Sequence, residues 1–184
     1  SLNIGQIYFN IDCELSETNN LSQKRGKIST FTGGVDSFYT LLTNLDKIDT
    51  LLYCINYDVQ ESKHKLLEAQ LNTVKEVAQK LGKKIIVCST NQRNVLEWGN
   101  IDYLKDIKKK YNNDLWGYFL HGPCLFSNAY NLLSEYDTIY IPSSHPKSSY
   151  YLWGSTFNID HLYSSHLLNI IHNGNCTRVD KIKT

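Results

Sequence analysis

The feature that most constrains the fold is an alternation of short apolar segments with amphipathic helical ones. Four apolar, β-favouring segments predict strands at 28–32, 50–57, 84–90 and 138–144. Between them, apolar residues recur at helical spacing in 35–45, 61–81 and 116–136. This order is typical of an α/β fold, a doubly wound and mostly parallel sheet with helices on both faces.

Three further segments and one break in a helix are predicted with shorter signals. We expect 4–11 to form an edge strand and 94–111 to be helical in part. Within 116–136, the sequence His121-Gly122-Pro123 predicts a break near the first turns of the helix. Residues 164–171 are predicted to form a short helix.

The composition is that of an ordinary globular domain. Hydrophobic residues make up 41% of the chain and charged residues 20%, which is enough to build a core. A formal net charge of +1 argues against a generally basic surface for nucleic acid. No apolar run approaches the ~20 residues that span a bilayer, so we expect no membrane partner.

The five cysteines are odd in number, widely spaced and without a CxxC pair. They therefore predict neither a disulfide framework nor a structural zinc site, and we expect a reduced, cytoplasmic setting. Cys54 and Cys124 lie in apolar runs and are predicted to be core residues. Cys88, at a strand end, and Cys176, in a polar loop, are the candidates for a reactive thiolate, and inert thiols are the alternative.

A glycine-containing loop joins the first predicted strand to the first helix, with the sequence Thr32-Gly33-Gly34-Val35-Asp36-Ser37. Gly33 and Gly34 can adopt positive φ and bring bare backbone close to a ligand. The helix that follows offers unpaired N–H groups and a positive dipole end, which suit a phosphate. Thr32 and Ser37 add hydroxyl donors. Because Asp36 would repel a phosphate, we expect it to cap the helix or to bind Mg²⁺ that bridges phosphate oxygens.

Two common nucleotide-binding loops are excluded, because no lysine follows the glycines as in the Walker motif and GxGxxG is absent. The residues instead resemble the PP-loop, SGGxDS, of the ATP pyrophosphatase superfamily (adenine nucleotide alpha hydrolase-like, HUP fold). Thr32 stands in the place of the first serine. The resemblance is strongest from residue 28 to residue 90.

The resemblance implies ATP and Mg²⁺ as cofactors and adenylation as the chemistry. Members cleave ATP between the α and β phosphates, transfer AMP to a carbonyl or carboxyl oxygen and release pyrophosphate. A nitrogen or sulfur nucleophile then displaces AMP, sometimes supplied by a sulfur- or ammonia-donating protein. By similarity, residues Thr32 to Ser37 would hold the pyrophosphate with Mg²⁺, Asp36 being the metal ligand, and Ile55 and Asn56 would border the adenine.

Polar residues in the second half are candidates for the rest of the site. Asp160 is placed to reach the phosphates or the metal, and Arg178 to stabilise the leaving pyrophosphate. Cys176 is the candidate thiol near Arg178. For each of these a structural role is the alternative, and for His121 and His172 a structural role is favoured over that of a general base.

The acceptor is expected to be a small molecule or a carrier-bound group. One alternative is a tRNA-modifying enzyme, with bases stacking on Tyr150, Tyr151 and Trp153, which the charge balance does not favour. The other is an ATP-binding module without catalysis. We expect 28–184 to form the PP-loop domain, which need not be complete at its C-terminus, and 1–27 to be a strand and loop that can end a preceding domain.

Overall fold

The computed structural model describes residues 25–96, 105–111, 114–149 and 153–184. Within them, five parallel strands form one sheet in the order β3-β2-β1-β4-β5. The strands are β1 (Gly26–Thr30), β2 (Thr50–Ile55), β3 (Lys84–Ser89), β4 (Tyr136–Pro142) and β5 (Asn169–Asn173). The predicted doubly wound α/β fold is confirmed.

Six α-helices and two short helical turns accompany the described strands. The helices are α1 (Val35–Thr43), α2 (His64–Lys80), α3 (Gln92–Leu96), α4 (Lys105–Lys110), α5 (His121–Tyr130) and α6 (Arg178–Lys183). A π-helical turn at Trp116–Leu120 runs directly into α5, and a 3₁₀ turn spans Asp160–Tyr163. No helix among the described residues is both long enough and apolar enough to cross a membrane.

The sheet separates two apolar cores because successive strand residues point to opposite faces. In β2, Leu51 and Tyr53 join the core beneath α1 and α2, whereas Leu52 and Cys54 join the core beneath α5. Helix α6 packs beside α1 on the first of these faces. Each sheet face is therefore covered by helices, which is why the strands read as nearly continuous apolar runs.

The direction of winding reverses between β1 and β4. From β1 the chain passes through α1 to β2 and through α2 to β3, and it then returns through α5 to β4 on the other side of β1. In open α/β sheets such a reversal leaves a crevice outside the carboxyl ends of the two neighbouring strands. The loop that follows β1 and the loop that follows β4 both begin at this crevice.

The prediction of a helix at 164–171 is wrong. Most of that segment is a connection, and β5 begins at Asn169. The hydroxyls of Ser164 and Ser165 accept hydrogen bonds from backbone N–H groups of the segment, which holds it out of a helix. Ile170 is buried beside β4, in register with Ile139. Consecutive β-branched isoleucines then favour a strand.

The other irregular segments are placed as follows. The long helix predicted at 116–136 begins as a π-helical turn and ends at Tyr130. Pro123 is the third residue of α5, just after the change from π-helix to α-helix. The partly helical region contains α3 and α4, with 97–104 outside the described residues. The strand predicted at 4–11, Cys13, Tyr150 and Tyr151 also lie outside them.

Candidate functional site

A cavity of about 630 Å³ lies in the crevice between the carboxyl ends of β1 and β4. Its size is within the range of small-molecule sites, about 300–1,000 Å³. The glycine loop contributes to its wall Thr32, Gly34, Val35, Asp36 and Ser37. The wall opposite contains residues of β2, β4 and α5, together with Arg93 of α3, Trp116 and Trp153.

The glycine loop has the backbone that its sequence predicts. Gly33 has φ +80°, and a Cβ added there would meet no atom within 4 Å. Gly34 is extended and precedes α1 without a side-chain capping hydrogen bond. The hydroxyl of Ser37 donates to the Gly34 carbonyl at 2.8 Å, which tightens the first turn. The N-terminus of α1 thus faces the cavity with bare backbone, the arrangement that suits a phosphate group.

Asp36 is held by two cations of α6. Its Oδ2 accepts hydrogen bonds from Arg178 Nε at 3.2 Å and Nη2 at 3.0 Å, and its Oδ1 accepts one from Lys181 Nζ at 2.8 Å. Burial by itself would raise the pKa of Asp36, but the hydrogen bonds and positive charges of Lys181 and Arg178 outweigh it and lower the pKa. Asp36 is therefore an ionised partner in a three-residue cluster.

These contacts disagree with the expectation that Asp36 binds Mg²⁺. Both carboxylate oxygens already accept hydrogen bonds from cationic groups, and a divalent ion there would lie beside two positive charges. Among the described residues, no group of three or more His, Cys, Asp or Glu side chains is arranged to hold a metal ion. The residues at Asp36 therefore do not fit a magnesium site held by the protein.

Helix α6 is positioned by its own capping box. The Thr177 hydroxyl accepts a hydrogen bond from the Asp180 N–H, and the Asp180 carboxylate accepts one from the Thr177 N–H. Arg178 and Lys181, three residues apart, then point to the same side of the helix. The side chain of Lys181 is fully buried and also donates to the Ser143 carbonyl after β4. The sequence reasoning missed Lys181, although its spacing from Arg178 was a usable signal.

The far wall of the cavity is apolar with a charged rim. Leu52, Trp116 and Leu125 line it, together with Asp58 and Arg93. The Arg93 guanidinium lies 4.7 Å from the centroid of the Trp116 ring. Asp58 is exposed at this rim, where the positive charge of Arg93 favours its ionised form.

The two residues predicted to border an adenine do not line this wall. Ile55 points to the opposite face of the sheet, where it packs with the α1–α2 core. Asn56 adopts φ +72° and holds the loop together, because its side chain donates to the Thr90 carbonyl and accepts from the Glu61 N–H. Alternation along β2 places Leu52 and Cys54 on the cavity instead.

A smaller cavity of about 40 Å³, here called the annex, adjoins the large one. The two share lining residues His121, Pro142, Ser144 and Trp153. His172 lines the annex, and its Nδ1 lies 2.6 Å from Asp160 Oδ2. Because a carboxylate oxygen accepts hydrogen bonds, this contact assigns the proton to Nδ1 and leaves Nε2 as the acceptor nitrogen of the ring.

Asp160 does not reach the glycine loop, contrary to the expectation from sequence. It is fully buried, and besides His172 its carboxylate accepts hydrogen bonds from the Ser155 hydroxyl at 2.7 Å and the Thr156 N–H at 2.9 Å. Every one of these contacts orients His172 or closes the turn at 155–160. Asp160 is therefore a positioning residue for the annex and is not a ligand of phosphate or metal.

His121 stands between the two cavities. Burial lowers its pKa to about 4, so the ring is neutral at pH 7. Its ring packs edge-on against Trp116, with the centroids 5.5 Å apart, and lies 5.8 Å from Trp153. Its buried Nδ1 has no hydrogen-bond partner among the described residues. A buried polar atom without a partner costs about 1–3 kcal/mol, so this nitrogen is a candidate ligand contact.

Cys54 and Cys124 are buried as the sequence predicts, and of the two candidate reactive cysteines only Cys88 lies near the large cavity. Cys54 is buried as predicted and also lines the large cavity, with its Sγ 3.3 Å from that of Cys88. Cys124 is buried in α5. Cys176 is half-buried beside Tyr39, whose pKa is raised by the hydrogen bond between them, and it does not line either cavity.

Comparison with family models, curated proteins and solved structures finds no significant match to this chain. Its function is therefore inferred from the chemistry of the two cavities.

Proposed function

We propose that the protein binds ATP in the large cavity and transfers AMP to a carbonyl or carboxyl oxygen of a small or carrier-bound acceptor, releasing pyrophosphate. The observation that carries this proposal is the position of the glycine loop. Its bare N-terminal helix turn, two hydroxyl side chains and the nearby Arg178 all line one cavity at the crevice where the sheet reverses direction. This combination suits a polyphosphate bound beside an apolar group.

The phosphate end of the nucleotide would lie against the start of α1. Backbone N–H groups there, with Thr32 and Ser37, would contact the β and γ phosphates. Arg178 is largely exposed and paired with Asp36, so it can reorient toward the phosphates, whereas the buried Lys181 stays in place. When the bond between Pα and the bridging oxygen breaks, negative charge develops on pyrophosphate, and a guanidinium stabilises that charge. Magnesium would enter as part of the substrate, Mg-ATP.

The remaining groups of the substrate would occupy the rest of the two cavities. The nucleobase would lie against Leu52, Trp116 and Leu125, because this is the apolar wall. The acceptor would approach the α phosphate from the side of the large cavity that adjoins the annex, and its oxygen would attack phosphorus. In the second step a nitrogen or sulfur nucleophile attacks the carbonyl carbon, AMP leaves, and His172 Nε2 accepts the proton of the nucleophile.

The proposed chemistry suits a cytoplasmic protein, where ATP is available and thiols stay reduced. A donor protein supplying sulfur or ammonia is compatible with the annex but is not required by it. The nitrogen and sulfur versions of the second step differ only in the nucleophile.

The first test is thermal stabilisation by Mg-ATP, with Mg-GTP and AMP as comparisons. A ligand at ~100 times its dissociation constant adds about 2.7 kcal/mol to the free energy of unfolding. Gly34→Val should abolish the ATP effect, because its side chain would occupy the space where backbone meets phosphate. The substitution is tolerated locally, since an added Cβ meets only Thr32 Oγ1, at 3.7 Å.

Lys75→Gln, at an exposed position on α2 outside the cavity, is the matched control and should respond as the wild type does. Turnover with a competent acceptor should yield AMP and pyrophosphate. A wild-type protein that ATP does not stabilise, or products identified as ADP and phosphate, would contradict the proposal.

A further inference from the structure

Two cysteines meet at the edge of the large cavity. Cys54 of β2 and Cys88 of β3 are register partners in the parallel sheet, and their side chains both point to the α5 face. Their sulfur atoms are 3.3 Å apart. Cys54 is 8% exposed and lines the cavity, whereas Cys88 is half-buried on β3, an outer strand of the described sheet.

The spacing of these residues is compatible with a disulfide bond. Neighbouring strands lie about 4.8 Å apart, and disulfides join Cα atoms about 4.4–6.8 Å apart. The sulfur atoms need to approach from 3.3 Å to about 2.05 Å. A thiol reductant reduces such a bond again by thiol–disulfide exchange, so the oxidation is reversible.

The two thiols are also chemically unequal. Their shared hydrogen bond raises the pKa of Cys54, which burial raises further, and lowers the pKa of Cys88. Because the thiolate is the reactive form, Cys88 reacts first. It is also the more exposed member, so an oxidant reaches it from solvent without passing through the cavity.

We propose that Cys54 and Cys88 form a site of reversible oxidation, at which a peroxide converts the two thiols into a disulfide in the wall of the large cavity. The Cys88 thiolate attacks one oxygen of hydrogen peroxide, the O–O bond breaks, and hydroxide leaves and is protonated to water. Cys88 is then a sulfenic acid. The sulfur of Cys54 attacks the sulfur of Cys88, the S–O bond breaks, and the departing hydroxide takes the Cys54 proton. Two thiols are oxidised and one peroxide is reduced to two waters.

The second step connects this site to the nucleotide. Cys54 Sγ lines the cavity and also contacts Asn128 Nδ2 at 3.8 Å, so forming the disulfide rearranges this part of the cavity wall. A nucleotide packed against the wall would oppose the rearrangement and slow disulfide formation. This part rests on the proposed function, whereas the oxidation itself does not.

The test treats the reduced full chain with a small excess of hydrogen peroxide. The intact mass should fall by about 2 Da, and digestion without reductant should yield a peptide linking Cys54 to Cys88 that dithiothreitol separates. Cys176→Ser, a change at the other half-buried cysteine among the described residues, should behave as the wild type. Cys54→Ser should stop at the sulfenic acid of Cys88, which dimedone traps. Absence of the 54–88 link, with Cys88 oxidised instead to the sulfinic acid, would overturn the inference.

The nucleotide arm is read separately by repeating the reaction in saturating Mg-ATP. We expect at least a fivefold slower appearance of the linked peptide, with no change in the dimedone adduct of the Cys54→Ser variant. An unchanged rate of linking, in a protein that Mg-ATP stabilises, would refute the effect of the bound nucleotide on the cavity wall at Cys54 and leave the oxidation site standing.

Discussion

Replacing Lys181 with methionine tests the ion cluster that joins Asp36 of α1 to Arg178 and Lys181 of α6. Lys181→Met keeps most of the aliphatic stem and removes the ammonium group, which donates hydrogen bonds to Asp36 Oδ1 and to the Ser143 carbonyl. Removing one partner of a buried ion pair costs about 3–5 kcal/mol. Because Arg178 stays paired with Asp36, we expect a smaller loss of about 2–3 kcal/mol.

The assay is urea unfolding at neutral pH, read together with the thermal midpoint. For a domain of this size, 1 kcal/mol shifts the midpoint by about 2–4 °C, so a decrease of roughly 5–10 °C is expected. Lys183→Met is the matched control, since Lys183 is exposed on the same helix and its replacement should cost less than about 0.5 kcal/mol.

A double-mutant cycle and the pH dependence complete the test. Lys181→Met and Asp36→Asn together should be coupled by about 1 kcal/mol or more. The folded-state pKa of Asp36 is lowered, so its contribution is present above the unfolded value of about 3.9 and is lost as the pH falls through the folded value. The difference between wild type and Lys181→Met should therefore shrink below about pH 4. Equal stability of Lys181→Met and Lys183→Met, or no coupling in the cycle, would refute the ion cluster.

Two further predictions concern the histidines. The pKa of His121 is lowered by burial to about 4, so stability should be greatest above the unfolded value of about 6.5 and fall by about 3 kcal/mol as the pH decreases from 6.5 to 4. His121→Gln should lack that slope, and an identical pH profile for the variant would contradict the assignment. Asp160→Asn should cost about 2–4 kcal/mol, because an amide cannot accept from Ser155, Thr156 and His172 at once. Long-range ¹H–¹⁵N spectra should then show that His172 loses its Nδ1–H tautomer, and a wild-type ring already in the Nε2–H form would refute the pairing.

The fold could be predicted from the sequence because its signals are local. Apolar runs at 50–57 and 84–90 and helical spacing at 61–81 depend only on which residues are neighbours along the chain. The segment at 164–171 was predicted wrongly because its strand forms only against β4, whose residues are about 30 positions earlier. Periodicity over so short a stretch cannot distinguish the two outcomes.

The candidate site was predictable only where its residues are consecutive. The glycine loop of Gly33 and Gly34 is one such stretch, and its backbone follows from the residue types themselves. Ile55 and Asn56 were expected beside the adenine from the resemblance to the PP-loop superfamily, but the alternation of side chains along β2 turns Ile55 to the opposite face. Asp160 was assigned to the phosphates on its residue type alone, whereas its partners are in the turn at 155–160 and at His172.

By itself the sequence determined the sheet class, the glycine loop and its position between a strand and a helix, because backbone preference and hydrophobic period act between near neighbours. Only the tertiary structure decided that Asp36 pairs with Lys181, 145 residues away, that Cys54 meets Cys88, and that His172 and His121 face connected cavities. The reason is physical: a carboxylate, a thiol or an imidazole takes its charge state and its role from the groups that folding brings within hydrogen-bond distance. Those groups are not neighbours in the chain.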